Sequence, residues 1–254
     1  MKTLHRRRTF NNILTWSGFW LCVMSMCSTA HSQQKQLLIT TETATPFHMS
    51  YDDGKTIVGS IADKIHEMLR RSQIPYSMEI MSWNRAFELA RTQPDTCVYE
   101  TARTPEREAE FKWVGPIAKG DWGIYGSPDK VGKITRLSDL KDATIGGYLG
   151  DALGEYLAQK GYHVINSFDD EITLRNFLIG RLDYWTSDTS QAPLLIAHNS
   201  AKDKVKLLFT YGSSEYYLAC NLKVSDEWIE LMRAKLKEIK ADGTEAKIDA
   251  RYPN

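Results

Sequence analysis

The sequence predicts an α/β fold of two lobes, each a mostly parallel sheet flanked by helices. Short apolar runs with strand character alternate with stretches of helical periodicity, which indicates parallel strands covered on both faces. The alternation pauses at Gly115-Pro116 and then begins again, giving two runs of similar size with a further strand and helix at the end. Neither a low-complexity linker nor an internal repeat interrupts it. Two such lobes facing each other form a cleft that can close by hinge motion, and ligands of open α/β sheets bind outside the carboxyl ends of the strands.

In chain order, Leu37-Leu38-Ile39 reads as a buried strand, and Thr45-Pro46-Phe47 and Tyr51-Asp52-Asp53-Gly54 as turns. Ile61, Ile65, Met68 and Leu69 then fall at helical spacing. Residues 76–81 (YSMEIM) form a second strand, a helix follows from Trp83 to Arg91, and a third strand covers Thr96 to Tyr99. Beyond Gly115-Pro116, strands are expected at 122–125 and 143–147, followed by a helix from Asp151 to Lys160. Another strand at 162–165, a helix marked by Ile172, Phe177 and Leu178, and a strand at 182–185 complete the second run. Ser225 is a good cap for a last long helix that buries Trp228, Leu231, Met232, Leu236 and Ile239 and stops at Asp242-Gly243.

Residues 1–32 are expected to stand apart. Lys2, Arg6, Arg7 and Arg8 precede an apolar stretch from Ile13 to Met26, and Ala30-His31-Ser32 places small residues before a cleavage site at Gln33. That is the pattern of a secretory signal peptide, so a periplasmic location is expected. About 14 apolar residues fall short of the roughly 20 that span a membrane. Arg7-Arg8-Thr9-Phe10 faintly resembles a twin-arginine signal, but nothing downstream needs a cofactor inserted before export, so the general secretory route is expected. Without residues 1–32 the chain keeps 28 basic against 32 acidic side chains, a net charge of −4 with no basic run, which argues against nucleic acid or an anionic membrane as partner.

Signatures of catalysis are missing: there is no GxSxG, Walker loop or HExxH, and His48, His66, His163 and His198 lack metal-ligand spacing, so no cofactor or metal is expected. Cys97 and Cys220, beyond the leader, are open to two readings: a disulfide in an oxidising compartment, or two buried thiols. Gly146-Gly147-Tyr148-Leu149-Gly150 lies between a strand and a helix and could cradle an anion, or Gly146 and Gly147 simply let the chain turn closely against the sheet, while Asp151 caps the next helix with its own carboxylate. Thr104 and Pro105 read as the cap and first position of a helix that places Arg107 in its first turn. A cation there opposes the helix dipole, and spacing alone leaves Arg107 either an exposed charge or a bidentate hook for a carboxylate.

Several segments taken together resemble the family 3 bacterial solute-binding proteins, the polar amino-acid-binding group of two-lobed periplasmic receptors. They are TATPFHMSYDDGKTIVGSIADKI, SWNRAFELA, ARTPEREAEFKWVGPI, LIGRLDYWTSDTS and KADGTEAKIDARY, in the family's order and spanning nearly all of the chain after residue 32. The resemblance implies a periplasmic-binding-protein type II fold. Lobe one would be residues 33–119 with 214–254, and lobe two residues 120–213, joined by crossings near Lys119–Asp121 and Gly212–Glu215. It implies that Arg107, in the Thr-x-x-Arg position, holds a ligand's α-carboxylate. Asp188, beyond the Gly180-Arg181-Leu182-Asp183 segment, would take the α-ammonium. Trp83 would stand against the ligand, the Ala102 amide would help with the carboxylate, and Arg85 is a further candidate on the same helix.

The chain also departs from the family pattern. Thr43-Ala44-Thr45 replaces an aromatic residue, leaving Phe47 to supply that wall. Asp151 stands where a threonine is usual, and Tyr99-Glu100-Thr101-Ala102 where serines are usual. Glu42, Glu100 and Asp151 could therefore make an acidic pocket, suited to a cationic side chain. The implied protein is a monomeric receptor for an amino-acid-like ligand that docks on a membrane permease of the ABC type. Two alternatives accompany it: a periplasmic dehydratase acting on a prephenate-like acid, with Glu100 or Asp151 as acid or base, and a ligand-sensing adaptor for a membrane signalling protein.

Overall fold

The structure, a computed structural model, describes residues 36–42, 49–51 and 56–252. The expected signal peptide and its cleavage site, Thr43-Ala44-Thr45 and Phe47 lie outside the described residues. The first strands are β1 (Leu37–Thr41), β2 (Met49–Tyr51) and β3 (Thr56–Val58), followed by helix α1 (Ser60–Ser72), β4 (Tyr76–Ile80), α2 (Trp83–Thr92) and β5 (Thr96–Ala102). Then come β6 (Phe111–Gly126), β7 (Thr144–Tyr148), α3 (Ala152–Gln159), β8 (His163–Ser167), α4 (Asp170–Leu178) and β9 (Tyr184–Asp188). The chain ends with α5 (Ala192–His198), β10 (Lys206–Asn221), α6 (Asp226–Ala241) and α7 (Thr244–Asp249).

Eight strands make one sheet in the order β4-β1-β5-β10-β6-β9-β7-β8. Two parallel trios flank it, β4-β1-β5 on one side and β9-β7-β8 on the other. Between them run β6 and β10, antiparallel to each other and each 16 residues long. Each serves both halves: β10 pairs with β5 near Tyr216–Cys220, and β6 pairs with β9 near Trp122–Tyr125. Along this pair Lys119 stands opposite Glu215 and Asp121 opposite Ser213.

The core explains the helices. In α1, Ile61, Ile65, Met68 and Leu69 are at most 1 % exposed and pack with Met232, Leu236 and Ile239 of α6 on one face of the first half. Fully burying such side chains contributes roughly 1.5–3 kcal/mol each. Ile229 belongs to the same core, whereas Trp228 and Leu231, expected to be buried, are only partly so. Trp83, Ala86 and Ala90 of α2 cover the opposite face with Phe111 and Trp113. The second half repeats the plan, with Trp185, Leu174 and Phe177 on one face and Ile145, Leu157 and Ile124 on the other. Cys97 and Cys220 stand directly opposite each other on β5 and β10 and form a disulfide, which resolves the two open readings.

Two sequence expectations need correction. Gly115-Pro116 does not end the first run; it lies inside β6, with a cis peptide bond, and the strand expected at 122–125 is only the far end of that element. A Cβ on Gly115 would come 2.5 Å from the Tyr217 ring, so close strand packing, in addition to a positive φ, requires glycine there. Thr104-Pro105 does not start an α-helix either. The Arg107 N–H donates to the Thr104 carbonyl at 3.1 Å, closing a turn, and a short 3₁₀ segment follows at Glu108–Glu110.

Candidate functional site

The carboxyl ends of β1, β5, β7 and β9 converge on one small cavity between the halves, of about 30 Å³. Seven of the nine residues singled out from the sequence line it: Glu42, Trp83, Glu100, Ala102, Arg107, Asp151 and Asp188. Phe47 lies outside the described residues, and Arg85 is exposed on α2, away from the lining, because that helix turns Trp83 and Ala86 inward instead.

Arg107 is 5 % exposed and reaches across the cleft. Its Nη2 donates to the Gly150 carbonyl at 2.9 Å and to the Glu155 carboxylate at 2.7 Å, and its guanidinium lies 4.8 Å from the centre of the Phe87 ring. The Trp83 indole N–H donates to the same Gly150 carbonyl at 2.8 Å. Gly150 adopts a φ of +76, a left-handed conformation natural to glycine, which presents this carbonyl to both donors.

Asp188 ends β9 from the opposite half. One carboxylate oxygen accepts the Ser190 N–H at 2.8 Å and the Ser190 hydroxyl; the other accepts the Tyr216 hydroxyl at 2.7 Å. Tyr216 sits opposite Ala102 on the β5–β10 ladder, so the middle of the sheet fixes the acid's position. The side chain has room because Gly120 faces it: a Cβ there would lie 1.8 Å from its oxygen.

The remaining acids give the cavity its character. Asp151 caps α3, accepting the Gly154 N–H at 3.1 Å; burial pushes its carboxyl up to about 6. Glu42 accepts the Tyr148 hydroxyl at 2.9 Å, and burial followed by the charges of Asp170, Asp151 and Asp169 raises it to about 8. Glu100 is held at a φ of +62, a region rarely taken by non-glycine residues. Burial, then the proximity of Glu42 and Asp188, pushes its carboxyl well above the usual range.

Sequence reasoning missed Tyr148, Tyr216, Asp170 and Gln191, which also line the cavity. Asp170 accepts the Trp185 indole N–H and the Ser187 hydroxyl, both at 2.6 Å, and burial raises it to about 7. The tandem Asp169-Asp170 was the available signal. Asp169 is the helix cap, accepting the Ile172 N–H at 2.7 Å, so its neighbour has to be placed by another partner. Gly146 and Gly147 pack rather than bind an anion: a Cβ on Gly146 would meet Leu182 at 2.5 Å, and the Gly147 carbonyl accepts the Thr173 hydroxyl at 2.9 Å.

Solved structures share this architecture at low identity. A histidine kinase sensor domain with similarity to periplasmic binding proteins superposes with a TM-score of 0.79 at 14% identity, over 86% of this chain and 96% of that one. A mutant of the arginine-binding protein from T. maritima gives 0.74 at 19%, over 85% and 94%. The glutamate-bound GluR0 ligand-binding core from Nostoc punctiforme gives 0.73 at 18%, over 85% and 98%. No curated protein matches in sequence. The model of the bacterial extracellular solute-binding proteins, family 3, matches residues 37–254. A type II binding-protein sheet with a polar cavity where the strands of its two halves meet, under a family match covering almost the whole described chain, makes this protein a member of the family 3 extracellular solute-binding proteins.

Proposed function

We propose that this protein is a periplasmic receptor for an amino acid or a related small polar carboxylate, working by binding and cleft closure without covalent chemistry. One observation carries the proposal: Arg107 from one half and Asp188 from the other are both buried in the wall of the same cavity, a cation and an anion placed for the two ends of a zwitterion. In this reading lobe one (33–119 with 214–254) and lobe two (120–213) close on the ligand. Arg107 grips the α-carboxylate, Asp188 receives the α-ammonium, Trp83 forms a flank and the Ala102 amide assists. The arginine- and glutamate-binding neighbours support a ligand of this class. The disulfide, a bond favoured in oxidising compartments, supports the periplasm.

Calorimetric titration with the standard amino acids tests the proposal. Arg107→Ala should weaken the best ligand by at least about 30-fold, since it strips the partner from a buried carboxylate. Full affinity in that variant would refute the site. Delivery to an ABC-type permease follows from a transport role, and one neighbour is described as a periplasmic binding protein of an arginine transport system from Legionella pneumophila. The sensor-domain neighbour favours a second reading, a ligand-sensing adaptor. Membrane pull-downs with and without ligand separate the two: a permease supports delivery, a signalling kinase the sensor.

A further inference from the structure

Arg107 carries two acceptors on one nitrogen. Its Nη2 donates both to the Gly150 carbonyl and to the Glu155 carboxylate. A guanidinium has two edges that can grip both oxygens of a carboxylate, one formed by Nε with Nη2 and the other by Nη1 with Nη2. Nη2 belongs to both edges and has one hydrogen for each. With both hydrogens engaged, neither edge is open to a two-pronged contact.

The two acceptors differ in how readily they can leave. The Gly150 carbonyl is main chain and is shared with the Trp83 indole, and a Cβ on Gly150 would lie only 3.3 Å from that ring, so the turn is packed in place. The Glu155 side chain is 49 % exposed, and among the described residues its carboxylate has no other hydrogen-bond or ion-pair partner. It stands in the first turn of α3 and, with Tyr156, Gln159 and Lys160, lines a groove of about 460 Å³ outside the cavity. The Lys160 ammonium, 5.5 Å from the centre of the Tyr156 ring, supplies positive charge there. A side-chain rotation can therefore carry the Glu155 carboxylate off Arg107 and into the groove.

We propose that Glu155 is a built-in competitor for Arg107: its carboxylate holds the place of the ligand's carboxylate, ties the two halves together, and sets the affinity because it must swing into the outer groove before the ligand is gripped. The proposal rests on the reading of Arg107 as the carboxylate hook. The exchange is anion for anion, so the buried guanidinium keeps a counter-ion. A molecule without a carboxylate could displace Glu155 only by leaving Arg107 unpaired, which is costly in a buried place, so the same side chain filters for anions. A cavity of about 30 Å³ admits about two waters, less than an amino acid needs, so the ties across the cleft give way before the ligand enters. Only the fraction of molecules with Arg107 released can take the ligand on two prongs, and the apparent affinity is reduced by that fraction.

Glu155→Gln keeps the shape of the side chain and removes its charge. Calorimetry at pH 7 with each of the standard amino acids, on the wild type and on this variant, tests the competitor. The amino acid that binds the wild type best should bind Glu155→Gln at least about threefold more tightly. Glu155→Ala should move affinity in the same direction, which separates loss of the carboxylate from any effect of the new amide. A damaged fold weakens binding, so a gain cannot be its by-product. An amino acid that binds both variants and not the wild type also supports the proposal. Unchanged or weaker binding in either variant overturns the competitor and leaves the reading of Arg107 standing. Failure of every standard amino acid to bind any of the three proteins overturns that reading and the present one with it.

Discussion

Replacing Gly120 by alanine tests whether Asp188 is held in a fixed place. Gly120 lies on β6 opposite Ser214, and a Cβ added there would stand 1.8 Å from the Asp188 oxygen and 2.8 Å from the Tyr216 ring. Side-chain carbons essentially never approach within 3.0 Å of such atoms, so the carboxylate would have to retreat by about 1.2 Å. It cannot simply rotate, because its other oxygen is tied to the Ser190 N–H and hydroxyl. The 2.7 Å bond from Tyr216 would therefore break. The φ of Gly120 is not positive, so the cost is steric. Overpacking of this kind costs about 1–3 kcal/mol, or roughly 3–10 °C in melting temperature for a chain of this size. A displaced charged acceptor loses about 1.5–3 kcal/mol of binding, or about ten- to 150-fold in affinity. Thermal melts and calorimetric titration with arginine and glutamate measure both effects. An alanine variant that melts with the wild type and binds within twofold of it would refute the idea that Asp188 is positioned by the sheet.

Three further outcomes are expected. Glu42, Asp170 and Asp151 all have folded-state values above those of the unfolded chain. Their contribution is thus fully present below about pH 4 and lost as the pH rises through about 6 to 8, at up to about 1.4 kcal/mol per group per unit. Melting temperatures of the ligand-free protein should fall across that window, and Glu42→Gln should flatten the upper part; a flat wild-type profile argues against buried neutral acids. Cys97→Ser with Cys220→Ser should cost about 2–5 kcal/mol, since the bond closes a loop spanning 123 residues of sequence separation, and denaturant unfolding measures it. Trp83→Phe removes the bond to Gly150 and also the buried five-membered ring, so at least about 1 kcal/mol of stability should be lost in denaturant unfolding, and an unchanged midpoint would show that neither the bond nor that packing contributes.

The parts of the fold legible in the sequence are those specified locally. Asp151 and Ser225 announce α3 and α6 because their side chains bond amides three residues on. The spacing of Ile61, Ile65 and Met68 announces α1 because one face meets one core. β6 and β10 were hidden for the opposite reason. Each crosses two halves and pairs with different neighbours along its length, so no single alternation persists, and Gly115-Pro116 imitates a turn inside a strand. In the site, motif residues such as Arg107 and Asp188 were legible, whereas Tyr148, Tyr216 and Gln191 reach the cavity only through the tertiary arrangement. Glu155 is a further instance. It sits in the first turn of α3 as an ordinary acidic helix residue, and only the approach of the segment between β5 and β6 makes it a partner for Arg107.

The last strand of the chain is a middle strand of the sheet. β10 stands between β5 and β6, and the partner of Cys97 is carried near its end. Neither half can complete its sheet until residues 206–221 are present, and both receive the missing strand at once. The pairing at the centre of the sheet therefore joins residues far apart in sequence, and contacts of that kind are the slow ones to form, so both halves wait on the same long-range step.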